Sequence, residues 1–219
     1  MKLGIYGTGG TGRELYEIIL DIFEIKGKIF DEIIFVDDIT TDKELFGCRI
    51  LNFNELLKEK NKDIKFSIAV GEPQLRNILR KKVAEAGYAL ITISHPSAVV
   101  SRYAKISNGV ILKRHCIISN KAIINENCLI QANCIIGHDV VINEDCIISN
   151  FVSIGGFTSV GDRTYIAMNS SIRDRIRIGS DSIIGMGSVV VKDVKDNCVV
   201  FGNPGKMVAK NDSKKVFKQ

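Results

Sequence analysis

Two stretches of the chain carry residues that could move a proton or receive a phosphate. The first is IIGHDVVINEDC, residues 135–146, in which His138 is followed directly by Asp139. Imidazole is the side chain whose ordinary pKa suits proton transfer near neutrality, and a neighbouring carboxylate can orient it. The second is GTGGTG, residues 7–12, which satisfies G-x-G-x-x-G between a strand-like and a helix-like run, with Asp37 twenty-five residues beyond Gly12. Glycines at that spacing let a phosphate approach a helix N-terminus, and a carboxylate ending the second strand can take a ribose or a base.

These residues need elements to hold them. LGIY (3–6) reads as a short buried strand, and RELYEIILDIF after the glycines has the apolar spacing of a helix. EIIFVDD (32–38), KFSIAVG (65–71) and YALITIS (88–94) read as further strands. LNFNELLKEK (51–60) and PQLRNILRKKVAEAG (73–87) read as helices, the second opened by Pro and closed by Gly. The βαβαβαβ order predicts a small parallel sheet covered by helices over residues 1–95.

From residue 97 the period changes. Every sixth residue from Val100 to Val190 is aliphatic, sixteen positions without a break, and the residue four after each is mostly small or β-branched. That is the pattern of a hexapeptide parallel β-helix: three hexads form a triangular coil, and coils stack about 4.8 Å apart. Cys116, Cys128, Cys134 and Cys146 fall at the small inward position. They are expected to be buried small hydrophobes rather than metal ligands or disulfides. Cys48 and Cys198 have no partner pattern.

The same phase bears on His138. It is the third residue of hexad 136–141 and faces outward, and eighteen residues on stands Gly156. The backbone of Gly155 and Gly156 should therefore lie one coil from the imidazole, open to a ligand and able to offer an N–H to a developing oxyanion. His115 belongs to a hexad on another face and is expected to be structural; His95, before Pro96, is expected in a loop. A zinc site using all three histidines is disfavoured by their spacing.

Apolar content of 45% and charged content of 25% are those of a soluble globular protein. The start, MKLGIYGTGG, lacks the apolar stretch of a signal peptide, and no run is long enough to span a membrane, so the chain is expected in the cytoplasm. A net charge of +5 is too mild to argue for nucleic acid. Part of the excess is local, in Lys206, Lys210, Lys214, Lys215 and Lys218, which reads as a solvated tail or as a rim attracting a phosphorylated ligand.

The whole chain resembles hexapeptide-repeat sugar acetyltransferases of the sialic acid O-acetyltransferase and UDP-amino-sugar N-acetyltransferase group. The resemblance rests on GTGGTG (7–12), VDD (36–38), AVG (69–71), GHD (137–139), the hexads, SIIGMGSVVVKDV (182–194) and FGNPGK (201–206). Two positions depart from it: Thr11 stands where amino-sugar members often carry histidine, and Gly205 where alanine is usual. The resemblance implies a Rossmann-like α/β domain over 1–95, a left-handed parallel β-helix over 96–199, and a C-terminal loop and basic tail over 200–219. It implies a homotrimer with active sites at subunit interfaces and acetyl-CoA as co-substrate, without a metal.

On that footing His138 is the general base, Asp139 supports it, and Gly156 lies at the acetyl and oxyanion position. Gly9, Gly10, Thr11, Asp37, Asp38 and Gly71 hold the nucleotide sugar. Gly155, Gly156, Gly185, Gly187, Lys192 and Lys206, with Lys210, are candidates for CoA. The expected reaction is N-acetylation of a UDP-type amino sugar, with O-acetylation of sialic acid or a related sugar as the alternative. A silent trimeric scaffold and an NAD-dependent oxidoreductase built on GTGGTG are the remaining readings, and a plain tight turn is the simplest account of those glycines.

Overall fold

The computed structural model describes residues 1–59 and 63–217. Lys60 of the predicted second helix and Lys218 of the basic tail lie outside the described residues.

The front domain runs β1 (Lys2–Tyr6), α1 (Gly10–Lys26), β2 (Ile33–Val36), β3 (Glu44–Leu45), β4 (Cys48–Leu51), α2 (Phe53–Lys58), β5 (Ile64–Ile68), α3 (Pro73–Glu85) and β6 (Ala89–Leu90). Among the described residues its sheet order is β3-β4-β2-β1-β5-β6, parallel except for β3 on β4. The strand order reverses on either side of β1, the crevice where such sheets take ligands. Packing dictates the glycine loop: Gly7 has φ +114°, and a Cβ on Gly12 would fall 2.0 Å from the Gly7 carbonyl oxygen. The second helix starts at a capping box, with Asn52 taking the Glu55 N–H and Glu55 taking the Asn52 N–H.

Behind the front sheet the chain winds as a left-handed parallel β-helix of two-residue strands on three faces. The first face runs from Ile93–Ser94, the second from Val99–Val100 and the third from Lys105–Ile106. Strands eighteen residues apart pair in register, Ile118 on Ile136 and Ile136 on Ile154. From Leu112 to Val190 no member of the aliphatic series is more than 4% exposed. Each corner turns through a left-handed residue, with φ between 53° and 61° from His115 to Asp181. Asn and Asp tolerate that region best, which accounts for Asn127, Asn133, Asp139, Asp145, Asn169 and Asp181 at this position.

The small inward position has a second requirement. Cys116 donates its thiol to the Gln131 carbonyl at 2.9 Å, Cys134 to Ser149 at 2.9 Å, Thr164 its hydroxyl to Gly179 at 2.8 Å and Ser170 to Gly185 at 3.0 Å. The cysteines are thus weak donors to the coil as well as small hydrophobes. Burial pushes the Cys116 and Cys134 thiols up to about 11 and about 12, which keeps them protonated for that bond.

Three segments differ from the sequence-based expectation. The β3–β4 hairpin was not signalled, being too short for an apolar period. YALITIS is two strands: β6 closes the front sheet, and Ile93–Ser94 opens the β-helix by pairing with Ile111–Leu112. Residues 200–210 are largely strand rather than loop. Cys198–Phe201 extends the first face, and Lys206–Lys210 folds back on it antiparallel, pairing backbone groups that the last coil would leave open. Beyond them the Val216 and Phe217 amides donate to the Glu72 carboxylate, so the tail docks on the front domain.

The domains share a core. Leu15, Ile18, Ile19 and Ile22 of α1 pack in one cluster with Ile111, Leu129 and Ile147, the outward residues of the first face. On the same face's other edge, Arg80 of α3 bonds Asp145, Glu126 and Glu144.

Candidate active site

His138 stands at the corner between the second and third faces, 58% exposed at its side chain. Asp139 takes the left-handed corner position, φ 57°, which brings its Oδ2 to 2.9 Å from His138 Nδ1. That contact leaves Nε2 as the open nitrogen. A Cβ built on Gly156 would lie 2.7 Å from both Nε2 and Cε1, so the ring rests directly on the Gly156 backbone and a larger residue there would displace it. Gly137 is equally constrained, since a Cβ there would fall 2.8 Å from the Gly156 nitrogen.

At some corners the third residue of a hexad donates its N–H to a side chain one coil on: Ala132 to Asn150 Oδ1, Glu144 to Asp162 Oδ1, Asp162 to Ser180 Oγ. Below His138 that neighbour is Gly156, which has no side chain. Among the described residues neither the His138 N–H nor the Gly156 N–H finds an acceptor. Phe157 walls the site: its ring stands perpendicular to the imidazole at 5.0 Å, and its N–H donates to the His138 carbonyl at 3.0 Å. The Arg175 guanidinium lies over the Phe157 ring at 4.5 Å. Sequence reasoning missed Phe157 and Arg175, although they sit eighteen and thirty-six residues after Asp139 and so share its column.

A cavity of about 320 Å³ opens at the β1 crevice, lined by Gly7, Asp37, Asp38, Val70 and Lys82 with apolar walls from Ile39 and Ile78. Asp37 is already committed: Oδ2 takes the Thr8 N–H and hydroxyl, Oδ1 the Ile39 and Thr40 amides. Burial works against its charge, but those hydrogen bonds outweigh it and hold the carboxyl below the usual range. Asp38 takes the Tyr6 hydroxyl at 2.5 Å, Lys82 Nζ at 2.7 Å and the Phe53 amide at 2.9 Å. It too is held low, burial being overcome by Lys82, Tyr6 and Phe53. Of the pair, Asp38 keeps the freer lone pair, and Lys82 joins it as a group the motif did not indicate. Gly9 and Gly10 have open space before them, and Gly71 faces Thr11, whose Oγ1 would be 3.8 Å from a Cβ there.

The remaining candidates divide. Gly155 is required by coil packing, since a Cβ would meet Asp174 N at 2.5 Å, and Gly185 by the Phe201 ring at 2.2 Å. Gly187 turns a late corner at φ +68° with open space around it. Lys192, Lys206 and Lys210 are exposed at the far end of the coil. His95 is a tie between domains, its Nε2 on Asp21 at 2.9 Å and its Nδ1 on Ser97 Oγ at 2.7 Å. His115 is exposed at the opposite corner of the second face. Within one chain the cavity is lined by front-domain residues, whereas His138 touches β-helix residues, so the structure does not bring the two together.

Residues 2–85 match the PglD N-terminal domain, and residues 121–156 and 157–192 match the bacterial transferase hexapeptide of six repeats. The GDP-perosamine N-acetyltransferase of Escherichia coli O157:H7 is 31% identical over 111 residues, 50% of this chain and 49% of that protein. The match thus spans about half the length of that relative. A perosamine N-acetyltransferase from Caulobacter crescentus, solved as a histidine-to-asparagine variant with CoA and GDP-perosamine, shares the fold at a TM-score of 0.87 and 24% identity, over 96% of this chain and 98% of that one. The histidine-to-alanine variant from Caulobacter crescentus with the same ligands gives 0.75 at 25% identity, over 96% and 98%. No helix among the described residues is long and apolar enough to cross a membrane.

Proposed function

We propose that this chain, a PglD N-terminal domain joined to bacterial transferase hexapeptide repeats, moves an acetyl group from acetyl-CoA to the amine of a nucleotide-linked amino sugar. The observation that carries the reading is the His138 corner: Nδ1 tied to Asp139, Nε2 open, and the unpaired Gly156 amide one coil away. The amine attacks the thioester carbonyl while Nε2 takes its proton. The tetrahedral oxyanion is received by the Gly156 N–H, and the C–S bond then breaks to release CoA thiolate, which recovers a proton. Asp139 holds the ring and supports the imidazolium as it forms.

The front cavity takes the nucleotide, with the phosphates toward Gly9 and Gly10 at the start of α1 and the sugar toward Thr11 and Gly71. UDP is the expected nucleotide, and the solved relatives, which hold GDP-perosamine, add GDP to the test. CoA runs along the coil past Gly155 toward Gly187, Lys192 and Lys206. Cavity and base stand apart within one chain, which supports a site completed between copies; the resemblance implies that the assembly is a homotrimer, working in the cytoplasm.

The test mixes the protein with acetyl-CoA and a panel of UDP-4-amino-sugars, GDP-perosamine, CMP-sialic acid and free sialic acid, and follows thiol release. Release with an amino sugar, abolished in His138→Ala, is expected. Release with sialic acid alone would move the protein to O-acetylation, and an active His138→Ala would remove the histidine from the chemistry.

A further inference from the structure

Behind the front cavity lies a cation outside the catalytic corner. Arg76 of α3 is fully buried between the domains. On the front side its Nη1 donates to the Ile68 carbonyl at 2.6 Å and to the Val70 carbonyl at 3.2 Å. On the β-helix side its Nε donates to the Asn127 carbonyl at 2.8 Å and its Nη2 to Asn127 Oδ1 at 3.0 Å. Asn127 is anchored in turn, its Nδ2 bonding the Arg76 carbonyl at 3.1 Å and Asp145 Oδ1 at 2.7 Å.

The front-side carbonyls belong to the cavity's own wall. Ile68 ends β5, and Val70 lines the cavity. A Cβ on Gly7 would fall 2.8 Å from the Ala69 carbonyl oxygen and 3.0 Å from Val70 Cγ1, so this segment lies against the glycine loop without slack. A shift of Val70 is therefore a shift of the glycine loop. A buried guanidinium is a costly way to fill space, because an apolar side chain of similar volume avoids its desolvation. What the planar fork supplies instead is fixed distances to several acceptors at once.

We infer that Arg76 is a positioning residue for the nucleotide sugar, a strut that fixes the cavity wall at Ile68–Val70 to the β-helix corner at Asn127. The inference rests on the nucleotide-sugar reading of the front cavity. A change of angle between cavity and β-helix moves the acceptor amine away from the base, and misplacement on the scale of an ångström costs about a hundredfold in rate.

The experiment uses the full chain carrying Arg76→Met, which keeps the volume and loses the fork, and Arg76→Lys, which keeps one donor group. UDP, GDP and acetyl-CoA are titrated separately by calorimetry, and KM and kcat are measured with the acceptor found active. Arg76→Met is expected to raise the KM for the nucleotide sugar about tenfold or more and to lower kcat by up to about a hundredfold, with Arg76→Lys between it and wild type and acetyl-CoA affinity unchanged. A lower melting temperature with an unchanged KM in the folded fraction would overturn the inference and leave the acetyltransferase reading standing. If Arg76→Met does not fold, Arg76→Lys decides on the same KM criterion. Wild type binding acetyl-CoA but neither UDP nor GDP would overturn the nucleotide-sugar reading and this inference with it.

Discussion

The ring of Phe157 stands perpendicular to the imidazole of His138, 5.0 Å away, with the Arg175 guanidinium 4.5 Å over it. Asp139 fixes one edge of the imidazole and Phe157 limits its swing toward solvent. Phe157→Ala is expected to lower kcat by about tenfold through loss of ring orientation, while Phe157→Tyr stays near wild type. Steady-state rates at saturating acetyl-CoA check this; equal kcat in all three proteins would deny Phe157 any hold on the imidazole.

Gly156 sets the other boundary. An added methyl would lie 2.7 Å from Nε2 and Cε1, so the half-exposed ring must turn out of its place toward solvent. Gly156→Ala is expected to keep the fold and lower kcat about a hundredfold. Circular dichroism and thiol-release rates, measured on the same preparation, separate a misplaced ring from an unfolded coil.

The β-helix was legible because its constraint is periodic: a large aliphatic and a small residue recur inside every hexad, so Ile136 and Cys134 announce themselves. Adding a coil's length to His138 also found Gly156. Outward corner positions carry no such constraint, and Phe157 and Arg175 were therefore silent although they share the Asp139 column. Gly155 and Gly185 stand out in sequence as if awaiting a ligand, yet neighbouring backbone and the Phe201 ring account for them. Arg76 and Asn127 lie fifty-one residues apart, and nothing in a linear pattern joins a helix residue to a corner. YALITIS misled because one apolar run serves two sheets.

Asp139 has two duties that substitutions can separate. Asparagine tolerates the left-handed corner and keeps an oxygen for Nδ1, but it loses the charge. Asp139→Asn is expected to match wild type in thermal stability while kcat falls about tenfold. Asp139→Ala loses both, adding a backbone cost of about 1 kcal/mol. Melting curves set beside rates test this, and an Asp139→Asn protein as active as wild type would leave the aspartate with the corner alone.

Asp37 and Asp38 tie the front domain's stability to acid. Both carboxyls are held below their ordinary range in the folded protein, against about 3.9 in the unfolded chain. Below that value the unfolded chain binds more protons, so their contribution is complete above about pH 5 and is lost as pH falls through the folded-state values. Asp37→Asn is expected to lower stability at pH 7 and to narrow its gap from wild type below about pH 4. Denaturation followed from pH 7 to pH 2 reads this directly, and a gap that stays constant throughout would show that Asp37 does not couple folding to protons.

The cysteines give the last test. Thiolate, not thiol, reacts with alkylating agents. Cys116 and Cys134 are fully buried, and burial pushes their pKa up to about 11 and about 12. Cys48 is half-buried on β4, one strand in from the front sheet's edge, and is the most accessible of the six. Iodoacetamide at pH 8 is expected to modify Cys48 slowly and to spare Cys116, Cys128, Cys134 and Cys146 until the coil is unfolded. Peptide mapping by mass spectrometry locates the label. The same column sorts replacements by donor and volume. Cys134→Ser keeps the bond to the Ser149 carbonyl and is expected to cost about 1 kcal/mol or less, whereas Cys134→Leu overfills the coil and costs about 1–3 kcal/mol. Equal losses for the two would mean that packing alone, without the donor, governs this position.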